Sequence, residues 1–186
     1  MTPMTPKLTL AIILLTWSTA AYAQESQPAQ QLTPATTPGQ AATTLALDPA
    51  GFAREAAAAN AFEILSSEVA LRRGQSPEVK AFAQTMINDH RRAQMDLQNA
   101  AKSDNVSLPE DLSMEQKQTL LALEQAEVSQ FDSAYLSAQM KAHDQAIQLL
   151  GSYSVDGPPG GLKTYATAHY PALRTHMVRA QSLTSP

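Results

Sequence analysis

Hydrophobic residues recur every three to four positions from Asp48 to the last residues of the chain, with no convincing two-residue alternation. This spacing is typical of amphipathic α-helices and not of strands. The pattern therefore predicts an all-α fold. We expect long helices over 48–73, 76–102, 127–150 and 162–183, and a short extra helix that opens at 113, before the third long one. Long helices joined by mostly short loops indicate an antiparallel four-helix bundle.

The predicted helix boundaries follow from residues that favour helix ends. Asp48 and Ser76 each precede a proline, an order that is typical of a cap followed by the first helical turn. Gly74 is expected to end the first helix. Ser113 and Gln116 have the spacing of a capping box, so they predict the start of the short helix.

Three features of the later part of the chain carry further predictions. Residues 151–161 are rich in Gly and Pro and predict a loop before the last helix. Pro171 removes one backbone hydrogen bond, so it is expected to kink or interrupt that helix. Asp132 is expected to cap the start of its own helical segment.

The first 23 residues have the regions of an export signal. Lys7 supplies a weakly basic start, residues 8–17 form an apolar region and residues 21–23 fit a small-x-small cleavage site. The apolar region is shorter than the roughly 20 residues of a membrane span, so cleavage is favoured over an uncleaved anchor. We expect a periplasmic protein with no transmembrane helix in the mature chain, and an association with the outer membrane is left open.

Residues 24–47 have a composition that opposes folding. They are rich in Gln, Pro, Thr and Ala and contain few large apolar side chains. Such a segment cannot bury enough surface to order itself, so we expect a disordered tether. The folded domain is then predicted to span residues 48–184.

The composition also narrows the chemistry. The chain has no cysteine, so any metal site would have to use His, Asp and Glu. The formal net charge is −4 and the basic residues are scattered, which argues against a nucleic-acid partner. No Ser or Thr has a recognisable activating context, so hydrolysis by a nucleophile is not expected.

Each long helix places one acid or imidazole on its apolar face, near the middle of its length. These residues are Glu63, His90, His143 and His176. A mid-helix residue stays at mid-height whichever way its helix runs, so the four could meet in one layer of the bundle. Asp132 and His169 also face inward, but they lie about 16 Å and about 10 Å along their helices from this layer.

Two interpretations of this layer are open. In the first, the four residues bind a single divalent transition metal (Zn, Fe, Mn or Cu), while Asp89 or Tyr135 orients an imidazole from outside. In the second, the layer is a buried hydrogen-bond network in which Glu63 neutralises one histidine and fixes helix register. Tyr135 is then a core aromatic residue with its hydroxyl bonded.

Five segments of the domain carry a family resemblance. They read "AAAANAFEILSSEVA", "SPEVKAFAQTMINDH", "SLPEDL", "FDSAYLSAQMKAHDQAIQLL" and "YPALRTH". From Phe52 to Leu183 the chain resembles an uncharacterised family of exported bacterial proteins, often labelled outer membrane proteins, with a ferritin-like bundle and a domain-of-unknown-function label. The resemblance implies a fold and a compartment but no activity. The chain contains no Glu-x-x-His, so a carboxylate-bridged di-iron centre is not expected.

Two classes of function remain after these observations. The first is a non-enzymatic envelope protein with a structural, interaction or stress-related role, whose partner and homo-oligomeric state are left open. The alternative is a mononuclear metal-binding or redox protein that uses the inward Glu and His layer.

Overall fold

The computed structural model of the protein describes residues 48–109 and 111–184, and all regular structure in this part of the chain is helical. The helices are α1 (Pro49–Arg73), α2 (Pro77–Ser103), α3 (Met114–Gln125), α4 (Phe131–Asp156) and α5 (Gly161–Thr184), with a 3₁₀ turn at Val128–Gln130. The prediction of an all-α fold with a short extra helix is confirmed. The predicted export signal (1–23) and tether (24–47) lie outside the described residues.

The predicted helix starts are confirmed by side-chain hydrogen bonds. The Asp48 carboxylate accepts a bond from the backbone N–H of Gly51. The Ser76 hydroxyl accepts from two backbone N–H groups in the first turn of α2. Ser113 and Gln116 exchange bonds as a capping box at the start of α3. Each bond satisfies an N–H group that would otherwise lack a helical partner.

The prediction of a loop over residues 151–161, between the last two helices, is mostly wrong. The third long helix continues past Leu150 to Asp156, so only residues 157–160 connect it to α5. The reason is tertiary packing: the ring of Tyr153 is buried and stacks on Phe52 with centroids 3.8 Å apart. Such burial outweighs the weak helix preference of the Gly and Ser residues in this segment.

The start of α4 also differs from its prediction. The helix begins at Phe131, after the 3₁₀ turn, and not near Glu127. Asp132 does not cap its own helix. Its carboxylate instead accepts bonds from the backbone N–H groups of Gln75 (2.9 Å) and Ser76 (2.8 Å) in the α1–α2 loop. Asp132, at the start of α4, therefore fixes the loop between α1 and α2 through hydrogen bonds.

The last helix runs without interruption from Gly161 to Thr184, with Pro171 inside it. Pro171 lies on the exposed side of the helix, as does Thr167, whose carbonyl loses its partner. Water has access to that carbonyl, which explains why the helix continues. Within the described residues, none of the helices combines the length and apolar character that crossing a membrane requires.

The four long helices form a ring in the order α1, α2, α5, α4, with α3 packed against α1 and α4. Short loops make α1–α2 and α4–α5 antiparallel pairs. The end of α2 meets the start of α5, because Asp104 binds the N–H groups of Gly161 and Leu162. The end of α1 likewise meets the start of α4 at Asp132. All four neighbouring pairs are therefore antiparallel, and one long crossover joins α2 to α4.

The bundle has an apolar cluster at each end. One cluster surrounds Phe52, Leu97 and Tyr153, where α1 begins. The other surrounds Met86 and Phe131, near the loop between α1 and α2. The four predicted polar residues fall between the members of these two clusters on every long helix, so they occupy the middle layer.

Candidate metal centre

The middle layer contains the four side chains that the sequence predicts to meet. Their relative exposures are 2% for Glu63, 4% for His90, 0% for His143 and 7% for His176. The ring centroids of the three histidines lie 5.4–5.7 Å apart. One nitrogen from each ring lies within 4.8 Å of the corresponding nitrogens of the other two, a spacing at which the three could hold a metal ion.

Glu63 has a different position in the layer. It is not a member of that group of three mutually close donors. Its Oε1 lies 3.2 Å from His143 Nδ1, and this nitrogen also donates to the backbone carbonyl of Gln139 at 2.9 Å. His143 Nδ1 therefore carries a proton, which leaves Nε2 with a free lone pair when the ring is neutral.

An amide fixes the proton on His90 in the same way. The Asn60 side-chain amide donates to Gln94 Oε1 (3.2 Å) and to the Tyr165 hydroxyl (3.1 Å). Its oxygen therefore points towards His90 Nδ1, at 3.0 Å, and accepts the proton of that nitrogen. Nε2 of His90 is left as the lone-pair nitrogen.

The third imidazole is oriented by a carboxylate. His176 Nε2 donates to Asp89 Oδ2 at 3.0 Å, which leaves Nδ1 with the lone pair. Asp89 thus contacts an imidazole, as the sequence analysis suggested. The Tyr135 hydroxyl instead lies 2.8 Å from Ser67 Oγ, and Tyr135 belongs to the apolar cluster around Met86 and Phe131.

Five buried polar atoms in this region have no hydrogen-bond partner among the described residues. They are His90 Nε2, His143 Nε2, His176 Nδ1, Glu63 Oε2 and Gln139 Oε1. With neutral rings all five are acceptors, and an unsatisfied buried polar group costs roughly 1–3 kcal/mol. A proton added to one ring could be donated in a hydrogen bond to only one neighbouring nitrogen. A metal ion could instead bind the lone pairs of all three nitrogens at once.

The charges in the layer favour a negative carboxylate beside neutral or positive imidazoles. Burial lowers the pKa of His90 to about 4, so this ring is neutral at pH 7. Burial also lowers the pKa of His176. Burial alone would raise the pKa of Glu63 and lower that of His143. The attraction between the two groups, together with His90 and Gln139 for Glu63 and with Gln139 for His143, reverses both shifts.

Two contributing residues were not assigned a role by sequence analysis. Asn60 orients His90, and the backbone of Gln139 orients His143. Asn60 precedes Glu63 by three residues and Gln139 precedes His143 by four, spacings that place each pair on one helical face. His169, which the sequence analysis set aside, lies outside the layer and contacts Asp96 at 3.1 Å.

The fold and the site together define an all-helical bundle with a layer of buried imidazoles at its centre. The chain belongs to the family described as Domain of unknown function (DUF4142), whose model matches residues 34–183. This confirms the predicted relationship to an uncharacterised domain family. Comparison with curated proteins gave no match, and comparison with solved structures gave none either.

Proposed function

We propose that this protein binds one divalent transition-metal ion through His90 Nε2, His143 Nε2 and His176 Nδ1. The observation that carries the proposal is that three buried rings each bring one nitrogen within 4.8 Å of the other two. The named nitrogens are assigned as the ligands because each is the nitrogen of its ring that has no hydrogen-bond partner among the described residues. Imidazole is a good ligand for Zn, Cu and Fe, and a neighbouring carboxylate widens the choice to Mn. Glu63 supplies negative charge to the layer through its ion pair with His143 Nδ1.

The outer hydrogen bonds support the same proposal. Metal-bound histidines almost always donate their other N–H to a carboxylate, a carbonyl or water. All three imidazoles have such an acceptor: Asn60 for His90, Gln139 and Glu63 for His143, and Asp89 for His176. Nitrogens bound at about 2.0–2.1 Å to one tetrahedral ion lie roughly 3.4 Å apart, so any pair of rings near the 4.8 Å limit would have to move together on binding.

The proposed location is the bacterial cell envelope. Its support is the export signal predicted in residues 1–23, which would deliver the bundle to the periplasm. An envelope partner and an association with the outer membrane belong to the same proposal. Detection of the mature protein in a periplasmic fraction, with an N terminus at residue 24, would test it.

Elemental analysis of tag-free protein, followed by titration with Zn, Fe, Mn and Cu, tests the metal proposal. We expect one metal ion per chain, and we expect the ion to be lost in His90→Ala and His143→Ala. His169→Ala is the matched control, because His169 is bonded to Asp96 outside the layer and its variant should retain the metal. Failure of the unmodified protein to bind any of these metals would contradict the proposal.

A second candidate is a metal-free structural or interaction role. The observation that favours it is the buried Glu63–His143 pair, in which each group stabilises the charged form of the other. Under this alternative the layer fixes helix register, and neither the unmodified protein nor His90→Gln contains metal. His90→Gln would then only lower Tm, by leaving buried groups unpaired.

A further inference from the structure

A small cavity borders the imidazole layer. Its volume is about 40 Å³, and Glu63, His90 and His176 form part of its wall. A buried water needs roughly 10–15 Å³ of such space, so the cavity has room for a group of more than one heavy atom. The layer is therefore not closed on this side by packed side chains.

Small residues from all four long helices create this space. They are Ala56, Ala59, Ala93, Ala146 and Ala172. The cavity reaches the surface between α2 and α5, since Ala172 is exposed and the Asp89 side chain is 47% exposed. His169, with 21% of its side chain exposed, lines the same opening. The wall of the cavity is thus partly exposed to solvent between α2 and α5.

The protein donors leave room for a further ligand. Three imidazole nitrogens converge, and Glu63 Oε1 is occupied on the opposite side of the His143 ring. Three protein ligands with a fourth position left to water or substrate is the arrangement of catalytic zinc sites, whereas structural sites have four protein ligands. Glu63 also lines the cavity, and its Oε2 is buried and has no hydrogen-bond partner among the described residues.

We propose that the metal ion of this centre has an open coordination position, which takes a small monodentate ligand of the water or azide class through the cavity between α2 and α5. This inference rests on the metal site proposed above. The size of the cavity limits the ligand to a few heavy atoms. The exposed mouth at Ala172 makes the position accessible in the folded protein.

Visible spectroscopy of the Co²⁺-loaded protein with added azide tests this inference. Cobalt absorption depends on coordination number and ligand type, so azide should produce a saturable spectral change. Ala93→Leu should fill the cavity and lose that change while still binding one Co²⁺ per chain. Ala172→Phe, at an exposed position, should block the mouth without disturbing the fold and should also lose the change.

Ala168→Phe is the matched control, because Ala168 is exposed on the same helix and does not line the cavity. It should respond to azide like the unmodified protein. A protein that binds Co²⁺ but shows no azide response would overturn the open position, and a response in Glu63→Gln alone would mean that Glu63 closes it. An unchanged azide response in both Ala93→Leu and Ala172→Phe would show that azide does not reach the metal through this cavity. A protein that binds no Co²⁺ would instead refute the metal site itself.

Discussion

The oxygen atoms around the imidazole layer decide which nitrogen of each histidine carries its proton. Asn60 offers a neutral amide oxygen to His90, whereas Asp89 offers a carboxylate to His176. A carboxylate acceptor makes an imidazole a stronger ligand than a neutral acceptor does, because it stabilises positive charge on the ring. The metal affinity of the site therefore depends on residues that do not touch the metal.

We expect Asp89→Ala to lower metal affinity about 10–100-fold, the usual cost of removing such an outer partner. The Tm of the metal-free protein should change little, because the Asp89 side chain is 47% exposed. Competition with a chelator measures the affinity, and thermal unfolding measures the Tm. Asp96→Ala, which removes the partner of His169, should change neither quantity. Equal losses of affinity in both variants would show that the effect is general surface charge.

The four residues of the layer could be predicted because their pattern is contained within single helices. An inward polar residue at mid-height is visible on one helical wheel. The role of Asn60 was not visible in this way, since it depends on Gln94 and Tyr165 from two other helices. The sequence also could not predict which nitrogen of each ring has the free lone pair. That depends on the hydrogen-bond acceptor of the other nitrogen, which comes from a neighbouring turn or helix.

At the scale of helices, two carboxylates join the α1–α2 pair to the α4–α5 pair through hydrogen bonds. Asp132 at the start of α4 holds the loop that leads into α2, and Asp104 at the end of α2 holds the first N–H groups of α5. Both bind N–H groups that have no helical partner. Sequence alone assigned Asp132 to its own helix, because a cap across two elements leaves no local signal.

We expect Asp104→Ala to lower the free energy of unfolding by about 1 kcal/mol, the usual cost of losing a helix cap. Bonds from the backbone N–H groups of Leu162 and Gly161 hold the pKa of Asp104 below its usual value of 3.8. The stabilisation is thus complete above that value and is lost as the pH falls through the lower, folded-state pKa. Urea unfolding between pH 7 and pH 3 measures both effects.

The difference between the unmodified protein and Asp104→Ala should therefore shrink as the pH approaches 3. Asp111→Ala, at an exposed position of the same α2–α4 connection, is the control and should behave like the unmodified protein. A difference that is independent of pH would show that Asp104 acts through packing and not through its charge.

For the whole molecule, the polar layer separates two apolar clusters that would otherwise be one core. In the metal-free protein, the buried polar groups without partners in this layer lower the stability of the bundle between the two clusters. The clusters themselves were predictable from apolar spacing. Their separation follows from the position of the four polar residues between the two clusters on every long helix.

We expect metal binding to stabilise the bundle as a whole, because the site exists only in the folded state. At a free metal concentration 100 times the Kd, the gain is about 2.7 kcal/mol. Calorimetry with and without a chelator measures the shift in Tm. His143→Ala should show no shift, and a shift of the same size in that variant would indicate metal binding elsewhere.

The ring order also places the two ends of the domain far apart. Asp48 lies where α1 begins, and Thr184 lies at the opposite end, because α1 and α5 run in the same direction. A force applied between these residues would act along the helix axes and load the contacts of α1 and α5 with both α2 and α4 in shear. The bundle would then resist stretching through many contacts at once, instead of opening one contact at a time.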